Sequence, residues 1–202
     1  MKEKINYDKV LENLISKLDY KPKLLLHSCC GPCSSYVITY LKDYFDITIL
    51  YYNPNIEPIE EYEKRKQEQI KLINKLNIDS VDLLDTNYEN EEYRKYVVGH
   101  EKDREGGHRC HLCYELRLIK TVKLAKENEF EYFGTTLTVS PYKNAQVLNQ
   151  IGESLSKEYN IKWLYSDFKK KEGYKKSIEL SKKYELYRQD YCGCLFSKEW
   201  DN

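Results

Sequence analysis

The chain has 202 residues, 33 of them basic and 33 acidic, so its formal net charge is zero and bulk charge supplies no pull toward a polyanion. A chain of this length buries about 70% of its unfolded surface in an ordinary core, so the seven cysteines are not needed as staples. The start Met1-Lys2-Glu3-Lys4 lacks an apolar leader and no run of about 18 apolar residues occurs, which excludes a membrane span and predicts a cytoplasmic protein with reduced thiols.

Leu11, Leu14, Ile15 and Leu18 fall at helical spacing behind an Asn6 cap, which predicts an amphipathic helix over 5–18 that Pro22 closes off. Leu24-Leu25-Leu26 reads as a short buried strand, residues 29–33 as the turn after it, and Val37, Ile38 and Leu41 as one face of the next helix. A strand over 47–52, an Asn-Pro turn, a charged helix over about 58–76 and a strand over 81–84 repeat the pattern. A helix over about 112–127, a strand over 130–134, a helix over about 144–159, a strand over 161–165 and a helix over about 173–185 complete it. Such alternation predicts an α/β fold with a doubly wound, mostly parallel sheet and helical additions, in one domain over 1–202. Ligands of these sheets bind beyond the carboxyl ends of the strands, where strand order reverses.

All seven cysteines fall in three tight groups: Cys29-Cys30-Gly31-Pro32-Cys33, Cys110-His111-Leu112-Cys113 and Cys192-Gly193-Cys194. A strand-to-helix turn can aim Cys29 and Cys30 at one object, and the helix N-terminus favours their thiolates. Cys110 and Cys113 are spaced so that one turn presents both sulfurs together. Two pairs make four ligands, which suit either a [4Fe-4S] cluster or structural zinc. Cys30-Gly31-Pro32-Cys33 also matches the thioredoxin active-site loop, so a thiol-disulfide oxidoreductase working through Cys30 and Cys33 is one alternative. A zinc-stabilised RNA-binding protein without catalysis is another. A radical cluster would need a cysteine at position 36, which is Tyr36. One residue between Cys192 and Cys194 allows only a cramped, easily reduced disulfide, which fits a reversible redox pair, although two further ligands or idle thiols would share the spacing.

Weaker signals surround these groups. Residues 135–144, Thr-Thr-Leu-Thr-Val-Ser-Pro-Tyr-Lys-Asn, leave a strand rich in hydroxyls and open a helix, which fits phosphate held on backbone N–H groups or simple capping by Ser140. His27, His108 and Tyr191 are candidate proton donors by proximity, and Arg109 and Arg188 are candidates to steer phosphate or tune sulfur. Residues 82–105 carry net −4 and residues 157–188 net +5, so the basic C-terminal third is the segment suited to RNA phosphates.

Together, Leu26-His27-Ser28-Cys29-Cys30-Gly31-Pro32-Cys33, Arg109-Cys110-His111-Leu112-Cys113, the 135–144 segment and Tyr191-Cys192-Gly193-Cys194 resemble the corrinoid-independent epoxyqueuosine reductases of the QueH type, over about residues 22–199. The resemblance implies an enzyme that reduces the epoxide of epoxyqueuosine, at the wobble position of certain tRNAs, to queuosine. It implies cluster ligands at Cys29, Cys30, Cys110 and Cys113 and a redox-active disulfide at Cys192 and Cys194. Cys33 is left over as ligand to a second metal, iron or zinc, or as a thiol. Ser140, Tyr142, Lys143 and Arg188 become candidate substrate contacts, with tRNA as partner and an unidentified electron donor. The family's parent fold is similar to the Rossmann-like ATP-pyrophosphatase (HUP) domain, which grips ATP through a Ser-Gly-Gly-x-Asp-Ser loop. Residues 27–35 occupy that place without paired glycines, so ATP use is disfavoured.

Overall fold

The computed structural model describes residues 5–79 and 81–198. In chain order the elements are α1 (Tyr7–Ile15), β1 (Lys23–His27), α2 (Gly31–Leu41), β2 (Asp46–Tyr51), α3 (Ile59–Leu76), β3 (Val81–Asp85) and α4 (Asn90–Tyr96). Then follow α5 (His108–Glu127), β4 (Tyr132–Thr135), a 3-10 turn (Thr136–Val139), α6 (Ala145–Tyr159), β5 (Lys162–Trp163), α7 (Gly173–Lys183) and α8 (Leu195–Lys198). The five strands form one sheet in the order β3-β2-β1-β4-β5, and every neighbouring pair is parallel. This is the doubly wound α/β fold with helical additions that the alternation predicts.

Burial on both faces explains why 24–26 reads as a continuous apolar run. Leu24 and Leu26 enter a core with Val37, Ile38 and Leu41 of α2 and Leu72 of α3. Leu25 enters the opposite core with Leu118 and Val122 of α5 and Leu148 and Leu155 of α6. Each fully buried leucine contributes about 1.5–3 kcal/mol, so β1 anchors both layers. At Gly152 of α6 an added Cβ would lie 2.2 Å from the Trp163 ring, so the absent side chain is what lets α6 lie against β5.

The chain leaves β1 toward β2 and β3 on one side, then crosses to β4 and β5 on the other. The carboxyl ends of β1 and β4 therefore flank the switch point where a crevice forms. The 29–33 segment follows β1, and the 136–144 segment follows β4. Among the described residues no helix is long and apolar enough to cross a membrane.

Candidate sulfur-lined active site

His27 ends β1 fully buried, with Nδ1 3.0 Å from Thr135 Oγ1 and Nε2 3.1 Å from the Tyr52 carbonyl. A carbonyl only accepts, so Nε2 carries the proton and Nδ1 accepts from the hydroxyl. Burial, reinforced by the Arg117 cation, pushes the imidazole down to about 3. His27 therefore ties β1 to β4 and to the end of β2, with both its ring nitrogens engaged within the fold. Beyond it, the Ser28 carbonyl accepts from Asn53 Nδ2 at 2.8 Å, and the hydroxyls of Ser28 and Ser34 both donate to Gln69 Oε1 at 2.7 Å. These contacts fix the turn that presents the first sulfurs.

Cys30 caps α2: its Sγ accepts from the Cys33 amide at 3.4 Å and lies 3.8 Å from Cys29 Sγ. The sulfurs of Cys29, Cys30 and Cys33 lie within 4.8 Å of one another, a group able to hold a metal ion. Hydrogen bonds from Cys29 and Cys33 hold the Cys30 thiol well below its ordinary range. The donors move oppositely: Cys29 is pushed up to about 11 by donating to Cys30, and Cys33 is raised by its bonds to Cys29 and Cys30. Gly31 is required here for packing, since a Cβ would sit 2.7 Å from the Glu68 carbonyl oxygen of α3.

Cys110 and Cys113 occupy the first turns of α5, both buried. Cys110 Sγ accepts from the Gly106 amide at 3.2 Å. Burial pushes the Cys113 thiol up to about 12 and raises Cys110 as well. Neither belongs to the 4.8 Å trio, so the tight sulfur group is formed by Cys33, not by Cys110 and Cys113, alongside Cys29 and Cys30. One turn further along α5, Arg117 is 3% exposed, donates to the Cys113 carbonyl at 3.1 Å and approaches Asn53 Oδ1 at 3.4 Å. Burial opposes its charge, Cys113, Cys192 and Cys29 act to raise its pKa, and the guanidinium is cationic as arginine is throughout proteins. This guanidinium is the common neighbour of all three cysteine groups.

The third group is anchored from α3, where Glu61, Arg65 and Gln69 recur every fourth residue on one buried face. Arg65 donates to Glu61 at 2.7 Å, to the Cys192 carbonyl at 3.0 Å and to the Tyr191 carbonyl at 3.5 Å. Gly193 has φ +90°, and its carbonyl accepts from the Glu57 amide at 2.9 Å. Cys192 Sγ lies 3.5 Å from Lys143 Nζ, which also reaches Glu105 at 3.1 Å. Burial works against the Lys143 charge, yet Cys192, Tyr114 and Glu105 hold its pKa well above the ordinary lysine value.

A cavity of about 490 Å³ joins these elements, walled by Cys29, Cys30, Cys33, Cys192, Arg117 and Lys143. Ser140, Tyr142, Arg188 and Tyr191 also line it, Tyr142 being 73% exposed. Arg188 stacks over Tyr174 at 5.2 Å and reaches Ser181 Oγ at 3.5 Å. Ser140 accepts from the Tyr142 amide and does not cap α6; Asn144 does, from Gln146 and Val147. Arg109 is fully buried and spends its guanidinium on the carbonyls of Glu101 and Asp103 and on Ser197, so it pins the 101–105 loop rather than steering phosphate. His108 faces His100 at 4.6 Å between ring centroids and is absent from the cavity wall.

Residues 24–200 match the family model described as Epoxyqueuosine reductase QueH. A relative of that name from Staphylococcus epidermidis is 44% identical over 203 residues, covering 96% of this chain and 85% of the relative. The chain belongs to the epoxyqueuosine reductase QueH family. A second relative of that name from Streptococcus pyogenes is 41% identical over 96% of this chain and 79% of the relative, and one from Thermotoga maritima is 37% identical over 86% and 89%. Membership makes this QueH chain an oxidoreductase, and its family segment includes all three cysteine groups and the residues that wall the cavity.

Proposed function

We propose that this chain reduces the epoxide of epoxyqueuosine, at the wobble position of tRNA, to the cyclopentene of queuosine. The observation that carries this reading is one cavity at the switch point of the sheet, walled by Cys29, Cys30, Cys33 and Cys192, in a chain matched to QueH over residues 24–200. Removing the epoxide oxygen as water consumes two electrons and two protons. A Cys192/Cys194 dithiol closing to a disulfide releases both, so dithiol plus epoxide gives disulfide, alkene and water in balance. An external reductant then reopens the disulfide.

Cys29, Cys30, Cys110 and Cys113 would hold a [4Fe-4S] cluster, leaving Cys33 for a second metal, iron or zinc, or as a thiol. Soft donors at two helix N-termini, an N–H bond to Cys110 Sγ and the buried Arg117 cation suit a negatively charged cluster–thiolate set. When bound, such a cluster supplies one-electron transfer and Lewis acidity toward oxygen. The chain's own side chains do the positioning. Lys143 keeps an ammonium, and so a proton, at the cavity wall beside Cys192. Leu137 and Val139 add apolar surface to the cavity lining, which limits competing water. Tyr142 offers an exposed ring on which a base can stack, while Ser140 and Arg188 offer donors to ribose or phosphate.

Nucleoside analysis of tRNA from cells lacking this gene tests the assignment. Accumulated epoxyqueuosine is expected; unchanged queuosine in a strain with no second reductase refutes it. Elemental analysis of anaerobic protein is expected to give iron with sulfide. Zinc alone would favour an RNA-binding module, and no metal a thiol-disulfide oxidoreductase.

A further inference from the structure

Cys192 and Cys194 share one short turn and both pack at the Tyr93, Val97 and Cys113 cluster, but only Cys192 also reaches the cavity. Cys192 is half-buried, lines the cavity and has Lys143 Nζ 3.5 Å from its sulfur. Cys194 is 4% exposed, is absent from the cavity wall, and packs with Tyr93, Val97 and Cys113. Its sulfur lies 3.0 Å from the Tyr93 hydroxyl, and Tyr93 is itself only 1% exposed. Either group can donate while Cys194 is a thiol; toward a Cys194 thiolate the buried phenol, which keeps its proton, is the donor. Arg65 and the Glu57 amide hold the Cys192 and Gly193 carbonyls, so the turn keeps the two sulfurs in these separate settings.

We propose that the two sulfurs have fixed and different duties: Cys192 is the sulfur an external dithiol attacks, and Cys194 is the resolving sulfur whose release Tyr93 supports. Lys143 and Tyr93 act as positioning residues. The inference rests on the Cys192/Cys194 pair being the reducing couple of the proposed function. In the step, a donor thiolate attacks Cys192 Sγ and the S–S bond breaks. Cys194 leaves with the electron pair, hydrogen-bonded by Tyr93, and takes a proton. A mixed disulfide joins donor and Cys192. The donor's second thiol then attacks the donor sulfur of that bond, and Cys192 departs beside the Lys143 ammonium. The donor ends as a cyclic disulfide and the enzyme as a dithiol, with two electrons and two protons transferred. Attack on the reachable sulfur and departure of the stabilised one is the general logic of such exchange.

The test uses the full chain, purified anaerobically, with iodoacetamide as probe. Trypsin cleaves after Arg188 and Lys198, so residues 189–198 carry both sulfurs in one peptide and fragmentation tells them apart. Cys192 is expected to be alkylated at least about tenfold faster than Cys194, as access and environment control thiol reactivity. Oxidised glutathione is expected to label Cys192 in Cys194→Ser and to leave Cys194 unlabelled in Cys192→Ser. Equal labelling overturns the proposal. Tyr93→Phe keeps the ring but is expected to slow dithiothreitol reduction of the disulfide about tenfold, the scale of one hydrogen bond to a charged group. The same variant is expected to leave the Cys192 alkylation rate unchanged. Lys143→Ala is expected to slow that alkylation, and Lys143→Arg to restore it. Should the serine variants fail to fold, the wild-type partition decides alone. Treatment with diamide separates the two levels: no disulfide within the 189–198 peptide sinks the redox couple itself, whereas a disulfide with equal labelling sinks only the division of duties.

Discussion

Arg65→Met removes a cation on which both the fold and the third cysteine group depend. The Arg65 side chain is 3% exposed and its partner Glu61 10%, so neither charge is solvated. Breaking a buried pair by deleting one member costs about 3–5 kcal/mol, because the survivor is left uncompensated. Glu61 would retain the Tyr187 hydroxyl, at 3.4 and 3.5 Å, and the Tyr191 hydroxyl, neutral donors that do not replace a 2.7 Å charge-assisted bond. The Cys192 and Tyr191 carbonyls lose their donor as well, adding about 1 kcal/mol. The sum is about 5 kcal/mol, a large share of the roughly 5–15 kcal/mol that stabilises a typical domain. At about 2–4 °C per kcal/mol for a chain of this size, the melting temperature falls by about 10–20 °C. Urea and thermal unfolding of reduced, metal-free protein measure it. Glu61→Gln in the same chain is expected to recover about 2 kcal/mol, since the orphaned charge is gone, and a double-mutant cycle reads that coupling directly. A single variant within 1 kcal/mol of wild type, or a double variant no better than the single, would refute the reasoning.

Arg117→Met strips the guanidinium from Asn53 and from the Cys113 carbonyl, at about 1.5–3 kcal/mol for a hydrogen bond from a charged group. Iron per chain after anaerobic reconstitution is expected to drop with the urea midpoint, and Arg117→Lys to recover part of both; unchanged iron content would show that the cation is not the counter-charge of the sulfurs. Gly31→Ala drives a Cβ to 2.7 Å from the Glu68 carbonyl, an overpacking of about 1–3 kcal/mol that pushes the α2 N-terminus and Cys30 away from α3. Its metal stoichiometry should fall together with its stability, and a wild-type midpoint would contradict the contact. Gly152→Ala places a Cβ 2.2 Å from the Trp163 ring, so it should lower stability by a similar amount while leaving metal content intact, which makes it the control for Gly31.

The strands and long helices were legible because burial on two faces leaves apolar runs, as at 24–26, and one-sided burial leaves helical spacing, as at Val37, Ile38 and Leu41. Elements with polar interiors were not. α4 buries little besides Tyr93, so its seven residues carry no apolar spacing from which to predict an element. α5 begins at His108, four residues before its predicted start, because its first turn buries Arg109 and Cys110 in place of aliphatic side chains. α1 ends at Ile15 rather than 18, and β5 pairs over two residues of the five expected. The cysteines announced the site, but the residues that hold it did not. Arg65 and Gln69 hide in a helix whose charges look solvated, and Arg117 hides as one cation among many. The period of four linking Glu61, Arg65 and Gln69 was the available signal. Asn53 could have been found from its place in the turn after β2, beside the switch point.

At the switch point of a doubly wound sheet, the ordinary use of the first strand-to-helix turn is to spend helix N-terminal amides on phosphate. Here those amides are committed otherwise. The Cys33 amide bonds to Cys30 Sγ, and Gly31 lies against the Glu68 carbonyl instead of opening the backbone to a ligand. The same dipole that would attract a phosphate favours the anionic form of the Cys30 thiol, together with hydrogen bonds from two neighbouring thiols. A second helix N-terminus delivers Cys110 and Cys113, and one buried guanidinium faces all three groups. The fold therefore keeps its anion-binding electrostatics and changes the anion, from a diffusible phosphate to sulfur carried by the chain. Because sulfur donors bring metal affinity and redox capacity with them, a scaffold suited to nucleotides becomes a reductase without a change of topology.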